Sequence, residues 1–224
     1  MENIGLYFLA LIIPLIAQMY VTSNYNKYKK INSKSGLSGF EVARKILDKN
    51  GLNDMYIVET NGTMSDHYDS SRKTIKLSSE VFHSDSIASI SIAAHECGHA
   101  IQDKEGYAFM RIRSLIFPIV KFGTQIAYVV LLIGLLANML NIIWTGILLV
   151  SLGLLFQLIT LPVEFDASRK ALNELENTIR IKNEEIDSSN IMLKAAALTY
   201  VAGVLSSVLE LLRLILIFTN NNRD

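Results

Sequence analysis

The sequence predicts a mainly α-helical integral membrane protein with about four transmembrane helices and one small α+β lobe. Half of the 224 residues are hydrophobic, the mean hydropathy is +0.32, and the apolar residues are clustered in long runs. The sizeable polar block, residues 22–113, instead alternates helix and strand signals, as a small water-exposed domain does. The formal net charge of zero argues against nucleic-acid binding, and the apolar content argues against a disordered chain.

Four apolar segments are predicted to cross the membrane. The first, residues 4–20, lacks the basic start and the small-residue cleavage site of a signal peptide. Residues 115–161 accommodate a hairpin of two helices with a tight turn near Asn138 and Asn141, and residues 195–218 form the fourth helix. Lysines follow the first segment closely, which places the lobe in the cytoplasm and the amino terminus outside. These lysines are Lys27, Lys29, Lys30 and Lys34.

The fourth apolar segment contains two opposite charges. Glu210 and Arg213 stand three residues apart, so a helix places them on one face. The simplest interpretation is that they pair with each other near the outer interface of the membrane. A contact with lipid headgroups is the alternative.

The polar block begins with a short helix and two strands. The capping box at residues 38–41 opens a helix that ends at Asn50-Gly51. Residues 55–60 and 74–77 have strand character, and residues 66–69 precede a Ser-Ser turn between them. We therefore expect a small β-hairpin just before the last helix of the block. Its open edge is a place where an extended peptide can pair.

The last helix of the block contains a His-Glu-x-x-His motif. Because positions i and i+4 lie on one helix face, His95 and His99 can direct their imidazole nitrogens at one zinc ion. Glu96 then lies beside the metal without binding it, placed to accept a proton from a zinc-activated water. A pair of satisfied core histidines is the alternative, although chance gives this pattern in only about one such chain in a few hundred.

The bounds of this helix place the motif outside the bilayer core. Ser84 or Asp85 is expected to cap the helix, which fades near Gly106. Its apolar part is too short to span a bilayer, so the motif belongs to the lobe or to the membrane surface. Cys97, the single cysteine, is more simply a small core residue than a nucleophile or a ligand.

A catalytic zinc site needs a third protein ligand, and Glu164 is the candidate. Pro162 is expected to end the third transmembrane helix just before it, so Glu164 is either a solvated interface group or a ligand. Two membrane crossings return the chain to the side it left, which brings Glu164 to the face of His95 and His99. Residues 162–194 are then a cytoplasmic segment whose helix carries this ligand. Its basic residues, which fit that side, are Arg169, Lys170, Arg180 and Lys182.

These motifs together resemble a bacterial membrane family of neutral zinc metallopeptidases with a gluzincin-like site. The resemblance is carried by residues 37–47, 66–69, 75–78, 93–102 and 161–168. More distantly, the chain is similar to the heat-shock and CAAX-prenyl membrane metalloproteases. The resemblance implies zinc bound by His95, His99 and Glu164, with Glu96 as general base.

One position departs from the distant relatives. Their third-ligand helix usually has an aspartate four residues after the ligand glutamate, where it supports a ligand histidine, and here that place is Ser168. Asp166, Asp66 or Asp69 can supply the supporting carboxylate instead. His67 is either a substrate-contacting donor or an ordinary side chain of the hairpin.

The resulting hypothesis is a multi-pass zinc metallopeptidase of the bacterial plasma membrane, an endopeptidase with its site facing the cytoplasm. Its expected partners are a peptide or membrane-protein substrate and the lipid bilayer, with no nucleic acid. The alternative is a zinc-containing membrane scaffold or chaperone-like protein without protease activity, which has no need of Glu96 as a base. Cleavage within the membrane is a third possibility, and it requires the motif helix itself to span the bilayer.

Overall fold

The computed structural model describes residues 2–220, which form seven α-helices, one π-helical turn and three β-strands. The helices are α1 (Glu2–Tyr28), α2 (Gly39–Lys49), α3 (Ser79–His83), α4 (Ile87–Glu105), α5 (Ala108–Leu136), α6 (Leu140–Glu174) and α7 (Asn183–Asn220). The π-helical turn is Leu175–Ile179, and the strands are β1 (Tyr56–Thr60), β2 (His67–Asp69) and β3 (Thr74–Ser78). This confirms the predicted fold class, a mainly α protein with a small α+β part.

The chain divides into two compact units. The helical unit comprises residues 2–18, 111–162 and 198–220 of the described chain, and the mixed unit comprises residues 19–110 and 163–197. Four helical stretches are long and apolar enough to cross a membrane. They are Ile4–Tyr28 in α1, Ala108–Leu136 in α5, Leu140–Ile179 in α6 and the π-helical turn that follows it, and Asn183–Thr219 in α7.

Two details of the helical unit can be compared with the sequence. The predicted pairing of Glu210 with Arg213 is confirmed, with 3.5 Å between their charged atoms. The turn between α5 and α6 is centred on Asn138, which adopts a left-handed conformation with φ 53°. Asn141, which the sequence also places in this turn, lies instead in the first turn of α6.

The expectation that Pro162 ends its helix is wrong. Helix α6 continues through Pro162 to Glu174. A proline removes only one backbone hydrogen bond from a helix, and the turn that follows it is held by packing. Val163 and Ala167, just beyond the proline, are both fully buried. Burial of that face therefore outweighs the local preference of proline to stop a helix.

The sheet has the order β1-β3-β2, which corrects part of the predicted hairpin. Strands β2 and β3 pair antiparallel through the turn between them, whereas β1 lies parallel to β3 on its other side. The hairpin therefore joins β2 to β3 and does not include residues 55–60. Ile75 and Leu77 of β3 are fully buried, and this central strand is the most buried of the three. Strand β2 remains an edge strand.

Helix α4 runs through the core of the mixed unit. Its residues Ala93, Ala94 and Cys97 are buried against the apolar face of α2, in one core that also includes strand β3. The N-cap is Ser86, whose hydroxyl accepts a hydrogen bond from the backbone of Ser89, rather than Ser84 or Asp85. The helix ends at Gly106, as predicted, and Gly106 adopts a left-handed conformation.

Candidate metal centre

Helix α4 presents two histidines on one side. The ring centroids of His95 and His99 are 4.8 Å apart, and the ring planes are nearly perpendicular. His99 is buried, and the His95 side chain is 15% exposed. The four-residue spacing in an α-helix produces this arrangement, because residues one turn apart project to the same side.

A very close contact between helices α4 and α6 lies beside the histidines. A Cβ atom added to Gly98 would lie 2.5 Å from the backbone oxygen of Ala167. Only glycine at this position allows the backbone of α6 to come so near to α4. Glu164 stands one helical turn before Ala167, so the same approach delivers its carboxylate to the histidines.

Glu164 completes a group of three potential metal ligands. One of its carboxylate oxygens lies 3.3 Å from Nε2 of His95 and 3.6 Å from Nε2 of His99. The ligand atoms of the three residues all lie within 4.8 Å of one another. Glu164 is 3% exposed, and a buried carboxylate requires a cationic or hydrogen-bonding partner. The three side chains thus converge as a metal site requires.

The donor set and its spacing fit zinc. Two ligand atoms about 2.0–2.1 Å from a tetrahedral ion lie roughly 3.3–3.4 Å apart, close to the two distances measured here. Two imidazoles and one carboxylate are a common ligand set for catalytic zinc, which leaves the fourth position for water or substrate. Cys97 lies outside this group, since its thiol donates to the backbone oxygen of Ala43.

Glu96 lies near the sheet. Its carboxylate is close enough to the backbone N–H of Tyr68, on the edge strand β2, for that group to favour its charged form. Burial raises the pKa of Glu96 to about 7, the nearby carboxylates of Glu164 and Asp66 add to the rise, and His95 opposes it. A carboxyl group with a pKa near neutrality, beside a group of potential metal ligands, is typical of a residue that exchanges protons during catalysis.

The side chain of Gln102 fixes the orientation of His99. Gln102 is fully buried, and its Nε2 donates to the backbone oxygen of Val163 at 2.8 Å and to Asp166 at 2.9 Å. Its Oε1 therefore faces Nδ1 of His99, at 3.0 Å. An amide oxygen only accepts hydrogen bonds, so Nδ1 of His99 must carry the proton. The lone pair of Nε2 is then free to face the metal position.

Ser168 stands where the distant relatives have an aspartate that supports a ligand histidine. The Ser168 hydroxyl lies 3.3 Å from Nδ1 of His95, and so occupies the supporting place itself. Asp166, one of the proposed substitutes, lies near the other histidine, where it accepts from Gln102 and from Arg169. Its support of His99 is therefore indirect.

The remaining candidates bond elsewhere. Asp66 accepts hydrogen bonds from the backbone and the hydroxyl of Ser78, and burial raises its pKa. Asp69 bonds to Ser71 and pairs with Lys76. His67 is exposed, and its Nδ1 lies 2.8 Å from the backbone oxygen of Ser65. Among the described residues, these three bond to the hairpin and its flanks rather than to either motif histidine.

Sequence reasoning missed Gln102 and the backbone of Tyr68. Gln102 stands three residues after His99, so the helical repeat could have indicated a contact between their side chains. A polar residue within the buried part of this helix was a further signal. The approach of the Tyr68 backbone to Glu96 leaves no trace in the sequence, because any residue other than proline can supply a backbone N–H.

Comparisons with known proteins agree with a metal site at His95, His99 and Glu164. A protein of Bacillus subtilis (strain 168), described as "Putative membrane protease YugP", is 46% identical over 208 residues, which cover 93% of this chain and 92% of that protein. No solved structure matches. The family described as "Putative neutral zinc metallopeptidase" matches residues 4–219. The chain therefore belongs to this zinc metallopeptidase family, and it is a membrane protein with a zinc cofactor.

Proposed function

We propose that the protein is a multi-pass zinc endopeptidase of the bacterial plasma membrane, with its site on the cytoplasmic side. The observation that carries this proposal is the convergence of Glu164 on His95 and His99, with Glu96 beside them. His95, His99 and Glu164 would hold the zinc ion. A bound zinc ion lowers the pKa of a water molecule toward neutrality and polarises a peptide carbonyl.

In this proposal Glu96 is the general base. Its carboxylate accepts the proton of the attacking water and then donates it to the nitrogen of the leaving amine. The nearby backbone N–H of Tyr68 favours the charged form of this carboxylate. Gln102 and Ser168 hold the imidazole rings from the side away from the metal position.

Strand β2 offers a place for the substrate backbone. It pairs with β3 on one side only, and its residue Tyr68 lies near Glu96. An extended peptide that adds to this edge would pass the general base. This geometry favours cleavage inside a chain, as an endopeptidase performs.

The proposed location follows from charge. Basic residues near the ends of the predicted spans, among them Lys29, Lys34 and Lys170, favour the cytoplasm for the mixed unit. An enzyme confined to the bilayer meets membrane proteins and their exposed tails most often. These are the substrate class that we propose.

The scaffold alternative is tested by Glu96→Gln. A structural zinc site usually fills its fourth position with another Cys or His, whereas the described residues offer a group of three ligands. We expect the variant to keep its zinc and to lose at least about 100-fold in the hydrolysis of casein, or of the protein itself, in detergent. Glu105→Gln, an exposed change on the same helix, is the control and should keep full activity. Unchanged hydrolysis by a zinc-loaded Glu96→Gln protein would contradict the proposal.

A further inference from the structure

The helical unit contains a cavity with one polar wall. Its volume is about 430 Å³, and residues of all four long helices line it. The polar wall belongs to α7, on which Ser206, Ser207, Glu210 and Arg213 follow the helical repeat along one face. Such groups are costly in a membrane span and mark functional sites there.

The wall has hydrogen-bonding capacity that its neighbours leave unused. Glu210 pairs with Arg213, and the guanidinium of Arg213 lies over the ring of Tyr7, 4.8 Å from its centroid. Behind the wall, Gln157 donates to Ser207. Among the described residues, Nε of Arg213 and Oε1 of Gln157 are buried without a hydrogen-bond partner. The side chains of Glu210 and Arg213 are each 21% exposed, and lipid tails cannot satisfy them, so a polar ligand in the cavity would gain by contacting them.

The cavity is accessible from the outer surface of the apolar helices. Its lining residues Tyr7 and Leu11 on α1 and Tyr128 on α5 are 44%, 52% and 59% exposed. A second cavity of about 420 Å³, which extends to Ile4 and Ile217, shares Tyr7 and Arg213 with the first. Together they form a groove along α1 and α7 that a molecule within the bilayer can reach.

The depth of the polar wall discriminates between possible ligands. Tyr128, which lines the same cavity as Glu210 and Arg213, lies about 12 Å from the end of α5 at Leu136, at 1.5 Å per residue. This position falls inside a hydrocarbon core about 30 Å thick, below the level of lipid headgroups. At that depth, transmembrane helices are the usual source of hydrogen-bonding groups.

We propose that this groove binds a transmembrane helix of the substrate through a hydrogen-bonding side chain such as Asn, Gln, Ser or Thr. The inference rests on the proposed function, in which membrane proteins are the substrates. The paired charges of Glu210 and Arg213 sum to zero, so the site suits a neutral side chain that both donates and accepts. The groove selects the membrane anchor of the substrate, while the zinc centre acts on the exposed chain.

Photocrosslinking tests this inference without using hydrolysis. The Glu96→Gln protein, with benzoylphenylalanine in place of Leu11, is placed in vesicles of phosphatidylethanolamine and phosphatidylglycerol. The probes are two synthetic apolar helices of about 20 residues. One carries an Asn in its outer half and the other a Leu there. Benzoylphenylalanine in place of Leu148, a 64% exposed residue of α6 outside the groove, is the control.

The expected result is a preference at position 11 for the Asn helix by about 3-fold to 10-fold, the factor that one interhelical hydrogen bond supplies in a membrane. Position 148 should show no preference, and Glu210→Leu with Arg213→Leu, which removes the hydrogen-bonding groups of the wall, should abolish the preference at position 11. Equal crosslinking of the two helices at position 11, or adducts with phospholipid alone, would overturn the inference. Because the readout needs no catalysis, such a result would leave the proposed peptidase function to be judged separately.

Discussion

At the scale of single residues, the chemistry of the metal centre depends on a glutamine. Gln102 gives both protons of its amide group to acceptors on α6 and turns its oxygen toward His99. The tautomer of His99 is thereby fixed, because the reverse placement of the amide would set two donors against each other. A residue that never reaches the metal position therefore decides which nitrogen can bind there.

Gln102→Met should lower zinc affinity by about 10-fold to 100-fold, the usual cost of losing a hydrogen bond behind a metal ligand. Methionine fills similar space, but its thioether sulfur is a much weaker hydrogen-bond acceptor than an amide oxygen. Competition with a chelator measures the affinity. Ser168→Ala is the matched comparison, and its loss should be smaller, since water can replace the hydroxyl at a half-buried position. A larger loss in Ser168→Ala than in Gln102→Met would contradict this assignment.

The sequence predicts residue roles well where spacing along one helix decides them. His95, Glu96 and His99 stand in a fixed helical relation, so their geometry follows from the motif. The supporting residues depend on which side chains a distant helix brings near. For that reason the sequence does not distinguish Asp66 and Asp69 from Asp166 as the supporting carboxylate. In the structure, Asp66 and Asp69 bond within the hairpin and its flanks.

At the scale of elements, the metal centre depends on how closely α4 and α6 approach. Ala167 on α6 packs directly onto Gly98, and Val163 and Ala171 on the same face are fully buried. Small residues at a crossing bring helix backbones together. A glutamate side chain is short, so a separation larger by even about 1 Å would weaken its bond to a metal held by the two histidines.

Gly98→Ala should therefore damage both the fold and the metal centre. Its new methyl group would meet the backbone oxygen of Ala167 at 2.5 Å, which no side-chain rotation relieves. We expect a loss of about 1–3 kcal/mol in the free energy of unfolding, as for overpacking elsewhere, together with weaker zinc binding. Thermal unfolding in detergent and zinc titration measure the two effects.

Gly123→Ala is the matched control for this change. Its added Cβ would meet only the side chains of Leu152 and Leu149, at 3.5 Å and 3.7 Å, which are ordinary contacts. Stability should stay the same or rise slightly, because alanine favours a helix over glycine. Equal stability and zinc affinity in the two variants would show that the contact at Gly98 is unimportant.

Elements are predictable where their signals are local. The capping box of Ser38 and Glu41 and the left-handed Gly106 set the helix ends where the sequence indicates. Strand order is not local, since β1 pairs with β3 in parallel although β2 lies between them in the chain. The stop expected at Pro162 fails for a similar reason: burial of Val163 depends on the tertiary fold.

At the scale of the whole molecule, the third ligand comes from a distant part of the chain. Glu164 follows the motif by more than sixty residues, most of them in helices α5 and α6. A membrane hairpin is the simplest way to span this separation, because two crossings return the chain to its starting side. The proposed topology and the ligand set thus depend on each other.

Cysteine labelling tests this topology. Asn177→Cys places an exposed thiol and Ser65→Cys a partly exposed thiol in the mixed unit, and Met139→Cys places one in the turn between α5 and α6. The first two should react with a membrane-impermeant reagent only from the cytoplasmic side, and the third only from outside. The native Cys97 is fully buried and should give little background. Labelling of positions 65 and 177 from opposite sides would contradict the topology.

The most direct test of the metal centre is the zinc content of purified Glu164→Ala beside Glu96→Gln and the unchanged protein. If Glu164 is the third ligand, Glu164→Ala should lose most of its zinc. Glu96→Gln should retain one ion per chain, because Glu96 acts as the general base and does not bind the metal. Full zinc occupancy in Glu164→Ala, at the affinity of the unchanged protein, would contradict the account.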